Sequence, residues 1–167
     1  MNAFKSINGR ITGRIKGHTS QQGSMLLEAL VAILIFSMGV LAIVGMQASA
    51  IANSAESKYR SDANLLVNQL LGQMWTSDRT PATLKANFEG GIGGTDGAAY
   101  TAWLGAVSNP ADGTVRRTLP GVTSAANLPS VTVDGATGLV TIIVSWQAPN
   151  APAGATAHKH TIVAQIR

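Results

Sequence analysis

Few residues in this sequence have the type and spacing to do chemistry. His158-Lys159-His160 places two imidazoles on one face of an extended segment, half of a metal site if a third ligand stood at the right spacing. The remaining histidine, His18, belongs to the N-terminal segment, so a solvated edge strand is the expectation and no metal or other cofactor is. Glu89 to Gly97, EGGIGGTDG, has the glycines of a phosphate cradle but lacks a Lys-Ser or Lys-Thr pair after them and a strong strand before them. It reads as a flexible loop. Serines are common, yet none sits in a Gly-x-Ser-x-Gly turn, and no pair of acids stands out. The pattern is not that of an enzyme. One group remains: Glu28, a carboxylate near the start of a membrane-length apolar run.

That run must position it. Ala29 to Met46 is an 18-residue stretch without a charge, close to the ~20 residues a spanning helix needs and longer than the apolar region of a secretory signal peptide. Lys5, Arg10, Arg14 and Lys16 precede it with no acid among them, and the next base is Lys58. This asymmetry predicts the N-terminus in the cytoplasm and the remainder outside. The net charge of +4 belongs to that leader, because eight bases and eight acids follow Gly23. A neutral remainder lacks the electrostatic warrant for nucleic-acid binding, and none is expected. With no cysteine there are no disulfides, thiolate ligands or lipidation cysteine.

Glu28 follows Gly23-Ser24-Met25-Leu26-Leu27 at the junction of leader and apolar run. Gly23 marks a place where the backbone is open to a peptidase at the cytoplasmic face. A carboxylate carried toward a bilayer centre costs ~2.5 to 3.5 kcal/mol and calls for a partner. The plainer reading is an uncleaved anchor with Glu28 at the headgroup edge, where a carboxylate costs little.

A glycine, then a mature chain with glutamate as its fifth residue and a long apolar helix after it, resembles the type III signal of type IV prepilins and pseudopilins. The resemblance implies that a prepilin peptidase cuts after Gly23, making Ser24 the mature N-terminus, usually N-methylated. Ser24 stands where that family most often has phenylalanine. It further implies that Glu28 pairs with the charged α-amino group of a neighbouring subunit as helices stack into a fibre. Leu, Ile and Val discriminate weakly between helix registers in an apolar bundle, whereas a buried carboxylate left unpaired does so strongly. Arg60 to Trp75, RSDANLLVNQLLGQMW, adds a second similarity, to V-type minor pilins (pilus modification proteins), through Arg60, Ala63, Leu66, Leu70 and Met74, with Gln73 and Trp75 where a charged pair is usual.

Ile51, Ala55, Tyr59, Ala63, Leu66, Leu70 and Met74 recur at three and four residues, predicting one helix from about Ser24 to about Ser77, roughly 80 Å long, whose later half lies on a small domain. Thr80-Pro81 reads as an N-cap and first helical position for a short helix to Phe88. Ala98 to Val107 reads as a helix with Tyr100, Trp103 and Leu104 inward, and Pro110 to Leu119 as a further turn or two. Ser130 to Val133, Leu139 to Gln147 and Thr156 to Ile166 predict an antiparallel meander, with Val140, Ile142, Val144 and Trp146 on one face. Asn150 to Gly154 is a surface loop, and Trp75, Trp103 and Trp146 are expected in the core.

The expected fold is therefore α+β and pilin-like: a basic leader over residues 1–23, removed; an anchoring and assembly half-helix over 24–50; and a periplasmic globular domain over 51–167. By resemblance the chain is a minor pilin of a type IV pilus, with prepilin peptidase, other major and minor pilins, the pilus assembly machinery and the membrane as partners. It would be held in a bacterial inner membrane before assembly into a surface pilus serving adhesion, twitching motility or DNA uptake. Two alternatives stand beside it: a minor pseudopilin of a type II secretion system, and an uncleaved single-pass protein carrying a binding or catalytic domain.

Overall fold

The computed structural model describes residues 22–122, 127–152 and 154–167. The expected leader lies outside the described residues as far as residue 21. The elements are α1 (Gln22–Thr76), α2 (Pro81–Phe88), α3 (Ala98–Leu104), α4 (Val115–Thr118), β1 (Ser130–Val133), β2 (Leu139–Trp146) and β3 (His158–Gln165). The chain divides into two compact units, Met1–Gln47 and Ala48–Arg167. A long apolar N-terminal helix and a small three-stranded antiparallel sheet fit the expected α+β, pilin-like layout.

In the first unit α1 is rich in Leu, Ala, Ile and Met, which hold helix well, and its internal hydrogen bonds need nothing from the surroundings. From Gly23 to Gln47 every side chain is exposed. By length and composition this segment can cross a membrane, which is compatible with an anchor. Ser37 donates its hydroxyl proton to the Ile33 carbonyl at 2.7 Å, so even this polar group is satisfied within the helix.

In the second unit Ala63, Leu66, Val67, Leu70 and Met74 of α1 are buried in one core with residues of α2, α3, α4, β1 and β2, and Ile162 of β3 packs against it partly buried. Ile51, expected on this stripe, is 70% exposed, and Trp75, expected in the core, is 47% exposed. Each stands 12 positions from Ala63, which at 100° per residue is about 120° around the helix from the buried face.

The sheet has the order β1-β2-β3, both pairs antiparallel. Val131 faces Ile142, and Ile142 faces Ile162. Val140, Ile142, Val144 and Trp146 are all fully buried, as the period-two pattern requires. Between β1 and β2 the Asp134 carboxylate accepts bonds from the Ala136 amide and the Thr137 hydroxyl, both at 2.8 Å. Gly138 then turns back at φ +70°, and a Cβ there would meet the Ile166 carbonyl oxygen at 2.3 Å. Only glycine fits.

The short helices follow the expected order with two departures. α3 ends at Leu104 rather than Val107, because Gly105 adopts φ +87°. Between Pro110 and Leu119 the single turn of α4 forms, within the turn or two expected. Thr80 precedes Pro81 as foreseen, but its hydroxyl does not cap α2: it donates to Asp78 at 2.8 Å, and the same carboxylate accepts the Thr80 amide. The glycine-rich loop is tied rather than free, with Gly90 bridging Val131 and the Gly91 amide donating to Asp96 at 2.8 Å.

Tyr100 anchors α3 to the chain before β1. Its ring is fully buried and its hydroxyl donates to the Pro129 carbonyl at 2.6 Å. Burial, and then the Asp96 charge, push its pKa up from 10.0 to about 12, while Arg116 opposes them. Below pH 10 the phenol is protonated in both folded and unfolded chains; above it the unfolded chain loses the proton first, so stability falls as pH rises from 10.0 toward about 12. Tyr100→Phe is expected to cost about 1–2 kcal/mol at neutral pH by leaving the Pro129 carbonyl unpaired, and to flatten that alkaline loss. Urea midpoints at neutral and alkaline pH check both.

Candidate functional site

The residues singled out in the sequence lie together on the first two turns of α1. Gly23 and Ser24 occupy its first turn, where amide groups lack intrahelical acceptors and the helix opens most cheaply. A Cβ placed on Gly23 would meet no other described residue within 4 Å. The Gly23–Ser24 peptide bond is thus uncrowded, although held in helical form. Glu28 stands four residues beyond Ser24, so the two share one helix face. Glu28 is exposed, and no ion pair joins it to another described residue. Met25, Leu26, Leu27 and Leu30 surround it with exposed apolar surface. A lone acid on such a surface can pair with a cation supplied from outside this chain.

A second group, in the globular unit, was missed by sequence reasoning. Glu56, just past the midpoint of α1, accepts a hydrogen bond from the fully buried Trp146 indole N–H through Oε2 at 3.1 Å. Its other oxygen, Oε1, lies 3.3 Å from His158 Nδ1. The His158 ring stacks on Trp146, 5.9 Å between centroids and 17° between planes. His160 lies on the same side of β3, opposite Val144, with Nε2 buried and unbonded. β3 is an edge strand without a fully buried residue, and His158 keeps about half its side-chain surface in solvent, as expected of a solvated edge strand. The period-two pattern placed Trp146 inside, but nothing local in sequence links it to Glu56, 90 residues away.

Among the described residues no three histidine, cysteine, aspartate or glutamate side chains converge as a metal site. An open cleft of about 660 Å³ is lined by Asp78, Arg79, Thr80, Pro81, Ala136, Thr137, Ile166 and Arg167. Its acid is already occupied by Thr80 and Thr83, which hold the Asp78 carboxyl below the usual range, chiefly through the Thr80 amide. The Arg79 guanidinium donates to the Arg167 carbonyl at 2.9 Å. The glycine-rich loop likewise spends its carboxylates on structure: besides the Asp96 bond, Glu89 accepts the Val133 amide at 3.1 Å. Compared with protein-family models, curated proteins and solved structures, the chain matches none.

Proposed function

We propose that the chain is a structural assembly subunit, a minor pilin of a type IV pilus. The observation that carries this reading is the junction itself: Gly23-Ser24, then Glu28 as the only charged side chain on α1 before Glu56, within an otherwise apolar exposed helix. The basic leader faces the cytoplasm, prepilin peptidase removes residues 1–23, and the globular unit lies outside the inner membrane. The mechanism is lateral transfer of an apolar helix from lipid into a bundle of similar helices. Glu28 sets its register by meeting the new α-amino group of a neighbour. The chain then has no reaction of its own, and adhesion, motility or DNA uptake belong to the fibre.

The first test is the mass of the mature N-terminus. A species beginning at Ser24, with or without an added methyl group, is the expected result; one beginning at Met1 overturns the reading. The same processing would serve a pseudopilin of a type II secretion system. The Arg60 to Trp75 segment favours the pilus, and copurification with pili rather than with a secretion complex is the expected outcome.

A further inference from the structure

Glu56, Trp146 and His158 join three elements of the globular unit, α1, β2 and β3, at one point. The Trp146 bond engages Oε2 alone. Oε1 is shielded from water and has no hydrogen-bond partner among the described residues, although His158 Nδ1 is 3.3 Å away. A buried carboxylate oxygen without a donor is costly. A protonated imidazole at that position supplies both a donor and the opposite charge.

We propose that His158 and Glu56 form a proton-operated clasp that fastens the start of β3 to α1 in mildly acidic solution and slackens as the solution becomes alkaline. This goes beyond the assembly reading and does not depend on it.

β2 bears no charged side chain, and the segment from 147 to 157 bears none either. On α1 the charged residues that follow Glu56 are Lys58, Arg60 and Asp62; Lys58 and Asp62 pair with each other at 3.9 Å, and Arg60, four residues on, is exposed and forms no ion pair with Glu56 among the described residues. On β3, Lys159 alternates to the opposite side of the strand. His160 is the one competing titratable ring, and its response has the opposite sign. Its Nε2 is buried without a hydrogen-bond partner among the described residues, so charging it buries an uncompensated cation and loosens the strand. The direction of the pH effect therefore tells which ring operates.

The measurement is amide hydrogen exchange over Ser145–Gln147 and His158–Thr161 in the full-length protein in detergent micelles, corrected for intrinsic exchange, at about pH 5.5 and about pH 8, either side of ordinary imidazole titration. Wild type should be roughly two- to fivefold more protected at the acid pH, the size of a half-exposed ion pair. His158→Gln should abolish the difference. Glu56→Gln, whose amide oxygen still accepts the indole bond, should abolish it as well. His160→Gln should keep or enlarge it. Equal protection of wild type at the two pH values, greater protection at the alkaline pH, or a difference that survives His158→Gln or Glu56→Gln overturns the clasp.

Discussion

Glu28→Leu is expected to be cleaved after Gly23, to reside in the membrane at normal levels, and to be nearly absent from sheared filaments. The variant makes α1 a better lipid helix, since it removes a carboxylate whose cost in lipid grows with its depth. Loss of incorporation would therefore not come from failed insertion. It would come from the neighbour's α-amino group, left without its partner inside an apolar bundle. Breaking a buried pair in this way costs about 3–5 kcal/mol, a factor of about a hundred or more in an equilibrium. Quantitative immunoblots of filament and membrane fractions read the ratio. Glu28→Asp, which keeps the charge but shortens its reach, should recover part of the loss. If Glu28→Leu is incorporated like the wild type, the pairing role proposed for this acid is wrong.

The second large effect is on stability. Trp146→Ala is expected to destabilise the globular unit by about 3–5 kcal/mol, the usual cost of emptying a buried aromatic site. This is a large share of the ~5–15 kcal/mol that holds a domain of this size together. The indole is fully buried, bonds Glu56 and carries His158 on its face, so one substitution detaches three elements. Trp146→Phe separates volume from hydrogen bonding. It keeps most of the apolar filling but leaves Glu56 Oε2 without its donor, at an expected cost of about 1–3 kcal/mol. Urea unfolding in detergent should rank wild type above Trp146→Phe and Trp146→Phe above Trp146→Ala. Equal midpoints for the two variants would mean that the Glu56 bond contributes nothing.

Elements governed by local pattern were legible from sequence. An 18-residue charge-free stretch and a three-and-four spacing define α1, Thr80-Pro81 marks the start of α2, and alternation of Val140, Ile142, Val144 and Trp146 orients β2. What failed was phase and pairing. Ile51 and Trp75 are apolar residues near the stripe, but rotation along the helix carries them off it. Composition alone could not reveal this. Thr80 has the residue type of a cap, yet its hydroxyl is turned onto Asp78 and accepts no amide of α2. The Glu56–Trp146 and Trp103–Leu66 bonds join residues 90 and 37 positions apart. Such contacts exist only once the core has assembled around them. The junction at Gly23, Ser24 and Glu28 was the reverse case: legible as a motif, while its chemistry depends on a partner outside this chain.

Trp75 carries a practical consequence. Trp103 and Trp146 are sealed inside the core, whereas Trp75 stands nearly half in solvent at the end of the long helix. Collisional quenchers such as acrylamide or iodide reach one indole and are kept from the other two. The emission of this protein therefore divides into two populations without any label, and the accessible one gauges how much solvent surrounds that end of α1.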